Sequence, residues 1–262
     1  MPRFTREETG LSGVNLSTDL LTGADRSRLE SFRERADRAS CACLLLIEAE
    51  PQRLGWAEAE KAVERLLRVV EAAHILGCTA VAVKIDAPDA DDAVVRVASR
   101  LKAVVERAEK RELNILISPH LGLTERPERV TELLKKVGGF RIGTFPDFEG
   151  ASKARDAGAY LHRLTPYATV VGATTHEFVP TGRKGAEASV EAFREGLWTH
   201  KSYDLSLMVR AIRGVGYDGP VGIDYRGAGD VTMGVRMSRD AILAALADEQ
   251  DENGDSAPKA EK

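Results

Sequence analysis

Short apolar runs alternate along the chain with longer stretches whose apolar residues recur every three or four positions. The runs LSGVNLS (11–17), CACLLLIEAE (41–50), TAVAVKI (79–85), NILISPH (114–120), FRIGTFPD (140–147), ATVVGATT (168–175) and VGIDYRG (221–227) predict strands. The second run is continuous rather than alternating, the pattern of a strand covered on both faces. Between the runs, the spacing predicts helices over 24–39, Trp56–Leu76, 91–110, 126–137, 150–163 and Tyr203–Val215. Val63, Leu66, Leu67, Val70 and Ala73 share one helical stripe, and Val94, Val97, Leu101 and Val104 share another. Gly77 is placed to stop the first of these helices, as a C′ glycine does. Pro127 is placed in a first turn, where its missing N–H does no harm. Ser238 is placed as the N-cap of a last helix, Arg239–Ala247. The stretch 176–198, with Pro180, Gly182 and Gly185, breaks the pattern and predicts a loop with one short seventh strand.

Strands that alternate with helices through short connections pair in parallel through right-handed crossovers. About eight such strands in one domain predict an α/β chain, a single (β/α)8 TIM barrel with strand seven short or irregular. An open doubly wound sheet is the alternative, and no glycine-rich phosphate loop follows the first strand to support it. The barrel domain is expected over 1–247, and the polar run 248–262 is expected to be a disordered tail.

Composition narrows the function classes. The chain has 262 residues, 43% hydrophobic and 30% charged, with a net charge of −4. That supports a sizeable core and gives no basic stripe for nucleic acid. No apolar run approaches the roughly 20 residues of a membrane span. Cys41, Cys43 and Cys78 are too few for a disulfide framework; Cys41 and Cys43 alternate along a strand and read as a buried, reduced pair. These features point to the cytoplasm.

In a parallel barrel, functional groups gather at the carboxyl ends of the strands. Those ends carry Asn15 and Ser17, Glu48 and Glu50, Lys84 and Asp86, Ser118 and His120, Thr144 and Asp147, Thr174, Thr175 and His176, and Asp224 and Arg226. Each also has a structural reading. Asp147 can cap the next helix, Asp224 can pair with Arg226, Lys84 can pair with Glu48 or Asp86, and His120 can bond to the wall. Glu48 reads as facing the mouth rather than buried. Thr174 and Thr175 read as β-propensity, and His200 as a surface or capping residue.

The runs RAEKRELNILISPHLGLTERPERVTELLKKVGGFRIGTFPDF, YDLSLMVRAIRGVGYDGPVGIDYRG and AAHILGCTAVAV resemble xylose-isomerase-like TIM barrels, the sugar-phosphate isomerase/epimerase group. The resemblance covers residues 11–247, and the GYDGP turn leading to an apolar strand that ends in an acid is its most specific part. It implies one divalent cation (Mn, Mg or Zn) at the barrel mouth. The family's ligand positions fall at Ser118, Asp147, Gly172 and Asp224, and its substrate histidine at Gly150. Asp147 is intact, Asp224 is one methylene shorter than a glutamate, and Ser118 and Gly172 are not ligands. The resemblance therefore implies an eroded metal site held by Asp147 and Asp224.

Two functions follow. One is a sugar or sugar-phosphate isomerase or epimerase that moves a proton next to a carbonyl. Asp147, Asp224 and His120 would be its catalytic residues, and Glu48, Lys84, Ser118, His176 and Arg226 its contacts to a small sugar-like ligand. The other is a non-catalytic or metal-independent barrel that binds a small polar ligand or a protein partner. Related barrels also cut abasic DNA with several zinc ions, and five scattered histidines on an acidic chain argue against that. Such barrels often pair as homodimers.

Overall fold

The computed structural model describes residues 1–181 and 198–254. They fall into two compact units, Met1–Pro146 with Arg163–Val171, and Asp147–His162 with Gly172–Lys262.

The first unit opens on a short turn, α1 (Pro2–Phe4), and then alternates strand and helix. Its strands are β1 (Gly13–Ser17), β2 (Ala42–Ile47), β3 (Ala80–Lys84), β4 (Asn114–Ser118) and β5 (Ile142–Thr144). They pair in chain order, each parallel to the next. The helices between them are α2 (Arg26–Arg38), α3 (Ala59–Leu76), α4 (Asp91–Glu109) and α5 (Pro127–Val137). All four predicted stripe residues of α4 are buried. On α3 the stripe is rotated: Leu66, Val70 and Ala73 are buried as expected, Val63 and Leu67 are half-buried, and Ala62 and Val69 take their place. Gly77 ends α3 at φ +77°, its N–H donating to the carbonyls of Ala73 and His74. On one face of the sheet, Leu45, Ala80, Ala82 and Leu116 pack with Val170, and Ile47 and Phe145 lie against them.

The second unit carries α6 (Phe148–Lys153), most of α7 (Ala157–Leu164) and of β6 (Val171–Thr175), β7 (Phe178–Pro180), β8 (Trp198–His200), α8 (Leu205–Gly214), β9 (Val221–Tyr225) and α9 (Val231–Gly254). β6 lies beside β9. β7 and β8 form an antiparallel pair, Phe178 opposite His200, where the sequence predicted one short strand. Residues 182–197 of that stretch lie outside the described residues.

Three expectations change. The helix expected over 150–163 is two helices, because Asp156 accepts from the Ala159 N–H at 2.9 Å and starts α7 afresh. The last helix begins at Val231, with Asp230 accepting from the Met233 N–H at 2.8 Å. Ser238 is therefore inside it rather than capping it; its buried hydroxyl bonds to the Gly234 carbonyl and to the Thr175 hydroxyl, both at 2.7 Å. The same helix continues to Gly254, and residues 255–262 of the expected tail lie outside the described residues.

Candidate functional site

At the strand ends of the first unit, the expected residues separate by sheet face. Glu48 follows β2 and is 2% exposed, a correction to its expected place at the mouth. Its carboxylate accepts from Arg65 Nε on α3 at 3.0 Å, so its charge is spent within the wall. Asp86 accepts from the Trp56 indole at 2.9 Å and lies 3.7 Å from Arg53. Neither acid pairs with Lys84, which has no ion-pair partner among the described residues. Lys84 stands directly opposite Ser118 in the register of β3 and β4. The His120 backbone N–H donates to the Thr124 carbonyl and hydroxyl, which closes a turn.

Among the described residues, Asp147 is the most heavily bonded acid of the second unit. It caps α6, and its Oδ1 accepts from the Glu149 N–H at 2.8 Å and the Gly150 N–H at 3.4 Å. Its Oδ2 accepts from the N–H (3.0 Å) and the hydroxyl (2.9 Å) of Thr174 on β6. Burial pushes its carboxyl above the ordinary value, against the pull of these donors. The carboxylate also fills the space over Gly172, where a Cβ would come within 2.5 Å of Oδ2. Thr174 is thus an anchor and not merely a strand former.

Two residues beyond Thr174, His176 Nε2 lies 3.1 Å from Glu149 Oε1. Lys153 approaches the same oxygen at 3.0 Å. Burial works against the Glu149 charge, but the bonds from Lys153 and His176 outweigh it and hold the carboxyl below its ordinary value. Sequence reasoning missed Glu149; its only signal was a second acid two positions after a strand-end acid. The His176 ring stacks against His200 at 6.2 Å.

His200, expected as a surface or capping residue, is 6% exposed. Its Nε2 accepts from the His176 N–H at 2.9 Å, and its Nδ1 faces the Tyr203 carbonyl at 3.1 Å. A carbonyl only accepts, so Nδ1 carries the proton and the ring is neutral. Burial lowers its pKa from the ordinary 6.5. A base held below its unfolded value contributes stability that is full above that value and is lost as pH falls through it. Unfolding midpoints in urea are therefore expected to fall between pH 7.5 and pH 5, more steeply in the native chain than in His200→Gln; equal slopes would refute the assignment.

Asp224 and Arg226 pair with each other on the surface, Asp224 Oδ2 accepting from both Nε (2.9 Å) and Nη2 (2.6 Å). This ion pair raises the Arg226 pKa. An open cleft of about 570 Å³ is lined by Glu149, Lys153, His176, Lys201, Tyr203 and Arg226, with Glu177 and four small residues. The structure thus brings His176 and Arg226 to one polar cleft and commits Asp147 and Asp224 to contacts of their own.

The described donors do not fit a divalent cation. All four lone-pair positions of Asp147 are used. Both ring nitrogens of His200 are engaged, and Gly172 offers no ligand. Among the described residues, no group of three or more His, Cys, Asp or Glu is spaced to hold a metal ion. The three cysteines are buried and unbridged; burial pushes Cys43 up to about 11 and Cys78 up to about 12, so neither presents a thiolate near neutral pH.

The family described as xylose isomerase-like TIM barrel matches residues 7–247. No curated protein matches the sequence. Among solved structures, the chain is similar to an L-ribulose 3-epimerase, with a TM-score of 0.78 and 14% identity over 97% of this chain and 91% of that one. It is similar to a D-psicose 3-epimerase with D-tagatose from Clostridium cellulolyticum H10, with a TM-score of 0.68 and 12% identity over 95% and 92%. It is also similar to a xylose isomerase-like TIM barrel protein from Mycobacterium smegmatis in complex with magnesium, with a TM-score of 0.67 and 14% identity over 94% and 88%. At these identities the likeness establishes the fold, the α/β barrel class expected from the strand–helix alternation. No described helix is long and apolar enough to cross a membrane.

Proposed function

This chain belongs to the xylose isomerase-like TIM barrel family, and from that premise we propose that it acts on a small sugar or polyol by moving a proton at a carbon next to a carbonyl, using side chains without a divalent ion. The observation that carries this reading is the His176–Glu149 contact, 3.1 Å long and set in a polar cleft. With Nε2 donating to the carboxylate, Nδ1 of His176 is left with a lone pair, and the carboxylate supports the charge the ring gains. The substrate C–H proton passes to Nδ1, and the bonding electrons move toward the carbonyl oxygen. Return of the proton to the neighbouring carbon gives the isomer; delivery from the opposite face by a second group gives the epimer. Lys153, Lys201 and Arg226 line the same cleft, paired with Glu149, Glu177 and Asp224, and their remaining N–H groups offer donors to substrate hydroxyls and to the oxygen that gains charge. The cleft volume, about 570 Å³, suits a small ligand. Buried thiols support a reducing, cytoplasmic setting.

A second reading, a ligand-binding barrel without catalysis, is favoured by the internal use of Asp147 and Asp224. The test is incubation with L-ribulose and with D-psicose in deuterium oxide containing EDTA, followed by proton NMR. Deuterium beside the carbonyl, or a new isomer or epimer, is expected. Turnover that returns only with added Mn²⁺ or Mg²⁺ overturns the metal-free mechanism, and silence with and without metal leaves the binding barrel.

A further inference from the structure

We propose that Lys84 and Ser118 form an anion-binding point on the five-stranded sheet, made for the carboxylate or phosphate group of a small ligand. This inference stands without the proton-transfer reading. Side chains alternate along a strand, so residues two apart share a face. Ala80 and Ala82 belong to the buried cluster, and Lys84 continues their row. Leu116 belongs to the same cluster, and Ser118 continues its row directly beside Lys84. The two side chains therefore rise together at the carboxyl ends of neighbouring strands, on the face lined by the cluster.

The charges near them do not compensate Lys84. Glu48 is held by Arg65, and Asp86 by Trp56 and Arg53. Among the described residues, Lys84 has no carboxylate partner and the Ser118 hydroxyl makes no hydrogen bond, although Ser118 is only 7% exposed. Neither polar atom is fully buried, so both remain open to a ligand from the solvent side. A ligand oxygen carrying negative charge would satisfy both, and the apolar layer below would strengthen the attraction relative to open water. The arrangement repels a divalent cation for the same reason.

The experiment is calorimetric titration of the full chain with inorganic phosphate and, separately, with glycolate, at ionic strength fixed by sodium chloride. Saturable binding of at least one anion at one site is expected. Lys84→Met should weaken it by about tenfold or more, and Ser118→Ala by roughly threefold, in line with loss of a charged and a neutral partner. Lys84→Arg should keep it, and Lys102→Met, an exposed lysine on α4, should leave it unchanged. Preference for phosphate over glycolate, or the reverse, assigns the group. Absence of saturable binding by either anion, or equal binding by a Lys84→Met protein with native circular dichroism, overturns the proposal.

Discussion

Asp147→Ala is expected to lower the free energy of unfolding by about 3 kcal/mol and to leave affinity for Mn²⁺ and Mg²⁺ as it is in the native chain. One carboxylate oxygen caps α6 through Glu149 and Gly150, and loss of an N-cap costs about 0.5–2 kcal/mol. The other oxygen takes both donors of Thr174, and hydrogen bonds to a charged group contribute about 1.5–3 kcal/mol. The buried donors left behind add to the loss, while removal of a desolvated charge offsets part of it. For a chain of this size, 3 kcal/mol lowers the midpoint of thermal unfolding by roughly 6–12 °C. Asp147→Asn should fall between the two, since it keeps an acceptor for α6 but turns an NH2 toward Thr174. A loss below 1 kcal/mol, together with disappearance of tight Mn²⁺ binding, would restore Asp147 as a metal ligand.

The second large effect is kinetic. His176→Gln is expected to lower the rate of proton exchange beside the substrate carbonyl by about 10²–10⁴, the usual contribution of a positioned general base. The ring is half-buried and at the edge of a cleft, so unfolding should shift by less than about 1 kcal/mol. Glu149→Gln keeps a hydrogen-bond acceptor for Nε2 but loses the charge, and about a tenfold loss is expected. Exchange that survives His176→Gln, or a rate loss that tracks a loss of folded protein, removes His176 from the reaction.

The alternation of strands and helices was legible because burial dictates it. The α4 stripe and the stop at Gly77 follow from local spacing and backbone chemistry alone. The site was less legible because its pairings are not local. Asp147 reads as a helix cap from its neighbours, and it is one, but its hold on Thr174 requires β6 to lie beside it. Glu149 acquires a role only through His176, which the chain brings back much later. His200 looked superficial because its burial depends on the antiparallel pairing of β7 and β8 and on Tyr203, none of which has a strong periodic signal. Ser238 misled because a serine before a helical run fits the capping rule equally well inside a longer helix, where its hydroxyl turns back on the preceding turn.

The close approach of Asp147 to Gly172 also constrains how this site can change. A histidine cannot enter at 172 while the carboxylate occupies that space, and the carboxylate cannot leave without loosening α6 and β6. A side chain at 172 is therefore disfavoured in the native background, so a lineage or a laboratory selection that climbs one residue at a time meets the cost of losing Asp147 before it can fill that space. Filling 172 would need both positions exchanged together, with a third change elsewhere to make good the lost cap.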